Sequence, residues 1–286
     1  MRRRWPVAGM AAVGVGALAG TGAGMRRGSE RRIETEVDEL LHSARTPRPE
    51  LVGDADLLGL PEPVPQWLRA ADVVGKPRPG TVRLKQDGMF RTGEQRPWMP
   101  FQAQQYFTVD PPGFLWWPRM RVAPFVTLSG RDRYFRGQGA MDLRVLSLVP
   151  VARKRGGGLN QGDLQRFLTE MIWFPAAAVS PYISWESVDT HTARATMTYA
   201  DTSGSADFNF DDEGRVARMT AMRYNDATGR LEHWTIGIHS YGEFNGVHVA
   251  IQGDGTWNYE SGDYTYIRWR ITDIEFDRPG RYQRPG

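Results

Sequence analysis

The sequence predicts a mainly β fold with helical insertions (α+β): a large curved antiparallel sheet, a half-barrel, with a central helix packed in its concavity. Three observations predict it. Alternation of apolar and polar residues recurs along most of the chain beyond residue 80, the mark of strands with one dry face. Glycine-containing turn signals separate these runs at hairpin spacing. A single stretch in the middle switches to helical periodicity and is followed by more strands, an order that suits an interrupted meander.

The elements follow in chain order. Trp5–Met25 is 21 residues without a charge, flanked by Arg2–Arg4 and by Arg26, Arg27, Arg31 and Arg32. As a helix it would measure about 30 Å, one hydrocarbon thickness. Residues 1–28 are therefore expected to be a membrane anchor, with a signal segment cleaved at Ala17-Leu18-Ala19 as the alternative. The folded part is expected on the extracytoplasmic side. Residues 29–59 read as a helical, Pro-rich linker: Ile33, Val37, Leu40 and Leu41 recur at helical spacing, and Thr46-Pro47-Arg48-Pro49 ends that run. Residues 60–278 form one β-rich domain. It opens with a short helix at Gln66–Ala71, introduced by prolines, which are tolerated at a helix start.

Thr81–Lys85, Thr192–Tyr199, Trp234/Ile236/Ile238, Val247/Val249/Ile251 and Ile267/Trp269/Ile271 carry the alternation. Turns are expected at Ser203-Gly204, Glu213-Gly214, Thr228-Gly229, Asn245-Gly246, Asp254-Gly255 and Ser261-Gly262. The helical stretch places Leu164, Phe167, Leu168, Met171 and Ile172 on one face, with Asp163 as N-cap and Pro175 as stop. Arg166, Glu170 and Trp173 share the opposite face. A tryptophan there implies that this face meets another surface. Residues 279–286 read as a disordered tail.

Composition narrows function more than it defines it. The chain has no cysteine, which removes disulfides, thiolate metal sites and cysteine nucleophiles. Arginine and lysine total 36 against 33 acidic residues, but seven arginines lie in the first 32 residues against Glu30 alone. The remainder, 29 basic and 32 acidic, is slightly acidic, so no basic face for nucleic acid is expected. Phosphate-loop, dinucleotide, nucleophile-elbow and zinc-protease signatures are absent from the sequence. The five histidines show no ligand spacing, so neither a metal nor a cofactor is expected.

Aromatic residues carry the candidate ligand site: Trp116, Trp117, Trp173, Phe174, Trp185 and Tyr106. Trp116 and Trp117 must face opposite sides of one strand. An apolar cavity between sheet and helix would accommodate both Trp117 and Trp173. The expected role is binding of a lipid or other hydrophobic small molecule there. An enzyme is the alternative, with Glu170 and Glu186, and Asp189 beside them, sharing acid/base work if the fold brings the two glutamates together. A structural or interaction domain whose aromatics are only core is the third reading.

Several motifs together resemble an uncharacterised bacterial family of unknown function over about residues 60–276. They are Leu60-Pro61-x-Pro63-Val64-x-x-Trp67-Leu68, Arg83-Leu84-x-Gln86-x-Gly88-x-Phe90-Arg91, Trp98-x-Pro100-Phe101-x-Ala103-x-Gln105-Tyr106-Phe107 and Pro112-Gly113-Phe114-x-Trp116. Asp132-x-Tyr134-x-x-Gly137-x-Gly139-x-Met141, Arg166-Phe167-Leu168-x-Glu170-x-x-Trp173-Phe174-Pro175 and Trp185-Glu186-x-x-Asp189 complete the set. The resemblance implies a hydrophobic N-terminus and no particular reaction. More distantly, the layout is similar to the lipoprotein localisation factors (LolA/LolB-like), whose half-barrel holds acyl chains beneath a helical lid.

Overall fold

The computed structural model describes residues 19–45, 50–124, 126–145, 149–225, 227–278 and 280–283. Most of the expected anchor (1–18) and the expected linker prolines (46–49) lie outside them. Among the described residues no helix is long and apolar enough to cross a membrane.

Three helices precede the sheet: α1 (Ala19–Ser43), α2 (Asp54–Leu57) and α3 (Pro63–Ala70). Thirteen strands follow: β1 (Thr81–Phe90), β2 (Met99–Thr108), β3 (Gly113–Ala123), β4 (Val126–Phe135), β5 (Gln138–Val145), β6 (Val149–Arg155), β7 (Ile183–Asp189), β8 (Thr192–Tyr199), β9 (Thr202–Phe210), β10 (Val216–Asn225), β11 (Arg230–Phe244), β12 (Val247–Tyr259) and β13 (Gly262–Phe276). Between β6 and β7 runs α4 (Gly158–Glu170), continued by two 3-10 turns, Met171–Trp173 and Pro175–Val179. All thirteen strands form one sheet, in the order β6-β5-β4-β3-β2-β1-β13-β12-β11-β10-β9-β8-β7. Every pairing is antiparallel, and all but β1 with β13 join chain neighbours.

The sheet is strongly curved, and α4 shows by how much. This helix touches β4, β5 and β6 near one edge and β8, β9 and β10 near the other. In a flat sheet β5 and β9 would lie nine strand spacings, about 43 Å, apart; a helix is only about 10–12 Å across. The two halves therefore curl towards each other. They meet at the β4–β5 and β8–β9 hairpins, where a Cβ on Gly137 would lie 2.7 Å from the Cβ of Ala200.

Two expected turns are strand interior instead. Gly204 lies within β9 and Gly255 within β12. At both, the missing side chain admits a neighbour: a Cβ on Gly204 would sit 2.6 Å from Gln165 Cγ of α4, and one on Gly255 2.8 Å from Ile267 Cγ2. Glycine in a strand marks close approach as readily as a turn. The other four signals are turns. Asp163 is likewise not an N-cap: α4 starts five residues earlier, and Asp163 is fully buried within it.

α1 is fixed to the face of β2 and β3 opposite α4. Ile33, Val37, Leu40 and Leu41 form a second core cluster there with Tyr106, Leu115, Trp117 and Tyr282. The segment expected as a linker is thus packed on the domain, and Tyr282, within the expected tail, is buried over β1.

Candidate ligand-binding site

α4 has no wet face. Leu164, Phe167 and Leu168 enter the main core, while Gln165 donates to the carbonyls of Ser205 and Met222 on β9 and β10. The face carrying Arg166, Glu170 and Trp173 meets β2, β3 and β4. Arg166 donates to Asp132 Oδ2 of β4 at 2.7 Å and to Glu170 Oε1 at 2.7 Å. Its guanidinium lies 4.9 Å from the ring centroids of both Phe114 and Trp116. The other Glu170 oxygen accepts from Gln105 at 2.7 Å, and Gln105 in turn accepts from Gln86 at 2.9 Å. Trp173 follows Glu170 by three residues and meets Trp269 edge-on at 5.3 Å.

Though enclosed between helix and sheet, the charged trio is not sealed. Arg166, Asp132 and Glu170 keep 16%, 15% and 12% of their side-chain surface accessible. Around them Trp116 Nε1, Trp173 Nε1 and Asp132 Oδ1 are buried without a hydrogen-bond partner. Trp116 and Asp132 face each other across the β3–β4 ladder, so two of these atoms flank the same guanidinium. Burial raises the Glu170 carboxyl above its ordinary range despite Arg166 beside it. Asp163, also without a partner for either oxygen, is pushed well up by burial and by the nearby Asp132 carboxylate. The site therefore combines aromatic walls, an unpaired Trp116 indole N–H and one guanidinium shared by two carboxylates, with the unpaired Trp173 indole one turn beyond Glu170.

A narrow apolar slot of about 220 Å³ opens where α4 gives way to the 3-10 turns; Phe174, Pro175, Val73, Val247 and Phe276 are among the residues lining it. On the outer face, Trp117 and Tyr106 line a separate polar cleft of about 970 Å³ between α1 and the segment around Tyr282.

The motif residues meet at the enclosed site: Gln86, Gln105, Phe114, Trp116, Asp132, Arg166, Glu170 and Trp173 come from five different motifs. The residues 50–269 that contain them match DUF6544, a family of unknown function. The chain belongs to that family. No curated protein matches this DUF6544 chain. Among solved structures it is similar to a DUF1329 family protein from Desulfovibrio piger, at 13% identity over 76% of this chain and 92% of that one, with a TM-score of 0.43. It is also similar to a LolA superfamily protein from Nitrosomonas europaea, at 11% identity over 73% and 91%, TM-score 0.37. A third is a β-barrel-like DUF1849 protein from Brucella abortus, at 7% identity over 70% and 98%, TM-score 0.27.

Of the residues expected from sequence, Trp116, Trp173 and Glu170 lie at the enclosed site and Phe174 at the slot. Trp185 packs in the main core against Trp67 and Phe208, its Nε1 donating to the Ala178 carbonyl. Trp117 and Tyr106 belong to the outer face, so Trp117 and Trp173 do not share the single cavity expected for them; α1 covers Trp117 instead. Nor are Glu170 and Glu186 brought together. Trp185 points inward, which turns its neighbour Glu186 out to solvent, and Asp189 is exposed, accepting the His191 N–H at the β7–β8 turn. Asp132, Gln105 and Gln86 were not among the expected residues. Their only sequence signal was membership of the motifs.

Proposed function

We propose that this protein binds a hydrophobic molecule with an oxygen-bearing head, a lipid or similar amphiphile, in the concavity between α4 and the inner face of the sheet. The observation that carries the reading is the charged trio around Arg166, which keeps accessible surface though enclosed by aromatic side chains, with buried polar atoms beside it left unpaired. A solid interior pairs nearly all its donors and leaves charged groups no accessible surface. An unpaired indole N–H on Trp116, whose ring meets the Arg166 guanidinium, suits carbonyl, ester or phosphate oxygens, and the surrounding rings suit the apolar remainder. The slot at Phe174 is the apolar opening beside the 3-10 turns that follow α4. At about 220 Å³ it is smaller than an ordinary ligand pocket, so a long chain would enter by displacing Met171–Val179, whose 3-10 geometry holds less firmly than α-helix. Residues 1–28 complete the proposal as a single-pass anchor that keeps the domain on the extracytoplasmic side.

Native mass spectrometry of the full chain, with lipid-dependent thermal shifts, tests the binding. Retained lipid and a rise in melting temperature are expected. Trp116→Phe and Trp173→Phe keep the ring but lose the donor, and each weakens retention about fivefold, the equivalent of one ordinary hydrogen bond. Trp117→Phe, on the outer face, leaves retention unchanged. Recovery of empty protein with no lipid-dependent shift would sink the reading.

A further inference from the structure

The β1–β2 and β3–β4 hairpins project from the same end of the sheet, and their tips combine apolar residues with arginines. On β1–β2 and its start, Pro97 is exposed, while Trp98 and Met99 are partly exposed. The Trp98 ring meets the guanidiniums of Arg91 at 4.7 Å and Arg268 at 4.9 Å. On β3–β4, Arg121, Val122, Ala123 and Pro124 are all exposed, Val122 at 44%. Arg96, Arg121 and Arg268 pair with no carboxylate among the described residues, and Arg91 donates to the carbonyls of Thr265 and Glu94. Glu94 is the acid within the β1–β2 loop. Glu260 and Asp263, the latter accepting from Asn258, lie on the β12–β13 hairpin at the same end. The excess of unpaired arginine therefore belongs to the β1–β2 and β3–β4 tips, where tryptophan, proline and valine beside it fit the boundary of a bilayer carrying anionic headgroups.

The path of α1 points the same way independently. Glu39 pairs with Arg133 at 2.7 Å, Glu36 with Arg131, and Glu30 with Arg119 at 3.3 Å, so the helix runs backwards along β4 and β3 towards those tips. Its other end is tied to the β2–β3 turn, where Arg45 N–H donates to the Asp110 carbonyl. From Glu30 back to Ala19 the helix extends about 16 Å, while β3 extends about 13 Å from Arg119 to Ala123. The N-terminal segment therefore leaves the domain level with the hairpin tips.

We propose that this end of the sheet, through Arg91, Arg96, Trp98, Arg121, Val122 and Arg268, docks on an anionic bilayer surface. The proposal extends the anchoring reading by fixing which end of the domain faces the membrane. Because the chain has no cysteine, single labels are unambiguous. Val122→Cys in the full chain carries an environment-sensitive fluorophore. Gln138→Cys, exposed on the β4–β5 turn one strand length or about 33 Å away, is the control. The vesicles are phosphatidylcholine alone or phosphatidylcholine with phosphatidylglycerol (7:3), with brominated acyl chains as quencher.

The label at 122 should move to an apolar environment and be quenched on the anionic vesicles, while the label at 138 stays in water. Arg121→Gln should lower the docked-to-free ratio about fivefold, matching roughly 1 kcal/mol per arginine at such a surface. Flotation separates the two readings. Protein that floats with both vesicle types in high salt, with both labels equally wet, keeps the anchor and overturns the docking. Protein that floats only on anionic vesicles, and is released by salt with 122 quenched, keeps the docking and removes the anchor. No flotation on either overturns both.

Discussion

Replacing Arg166 by Met would test whether the enclosed polar site is organised by a single cation. The substitution keeps an unbranched stem and removes two contacts of 2.7 Å, to Asp132 and Glu170, together with the guanidinium over Phe114 and Trp116. Removing one member of a buried ion pair costs about 3–5 kcal/mol, because the other charge stays behind. The accessible surface of the trio lets water reach it, so the expected loss is at the lower end, about 3 kcal/mol. For a chain of this size that corresponds to roughly 6–12 °C in melting temperature.

The pH dependence supplies the sharper criterion. Burial already raises the Glu170 carboxyl, and losing Arg166 raises it further. A carboxyl whose folded value lies above its unfolded one holds a proton in the folded state where the unfolded chain has lost it. Stability then falls as pH rises from the ordinary carboxylate range through the folded value. The Arg166→Met deficit should be full near pH 8 and shrink near pH 5, as measured by urea unfolding. Adding Glu170→Gln should recover part of it at pH 8 and little at pH 5. A deficit below about 1 kcal/mol, or one equal at both pH values, would refute the idea of a cation offsetting two enclosed carboxylates.

Two further outcomes follow from the packing. Gly139→Ala would put a Cβ 2.5 Å from Asp163 Oδ2 and 2.8 Å from the Leu159 carbonyl, so α4 must shift from β5; a loss of about 1–3 kcal/mol is expected in urea unfolding, and unchanged stability would contradict the close helix–sheet approach. Trp117→Ala should cost about 3–5 kcal/mol, with hydrogen exchange accelerated in α1 before α4, since Trp117 lies beneath α1; acceleration centred on α4 would show that its outer-face placement is wrong.

Strand content was legible because alternation is a local signal: β8 runs over Thr192–Tyr199, the stretch its pattern marked. The glycine signals were legible only in part. Glu213-Gly214 and Asn245-Gly246 close hairpins, whereas Gly204 exists to let α4 lie against β9, a contact with a helix about forty residues earlier. Nothing within a few residues of Gly204 distinguishes the two uses. The sequence marks the start of α4 at Asp163, five residues late, for a related reason. Asp163 has the chemistry of a cap, yet it is buried mid-helix beside Asp132 and Arg223, neither of which is near it in sequence.

The same limit explains the site. A helical pattern reports contrast between faces, so Arg166 and Glu170 read as the polar side of an amphipathic helix. That pattern carries no information about a second half-sheet covering the polar side. Asp132 and Gln105, which make the difference, lie 34 and 65 residues from their partners. Trp173 was one local sign, an indole on a face that water should have claimed. Trp116 and Trp117 carry a second local sign. Alternation places them on opposite faces, and the apolar stripe Ile33/Val37/Leu40/Leu41 is itself a surface in need of a partner. Set together, the two facts imply a sheet that is dry on both sides at β3, with Leu115 and Trp117 under α1. Of the two tryptophans only Trp116 is then left to face α4, beside Phe114, and the enclosed polar site is built around that face, on the side where Arg166 stands.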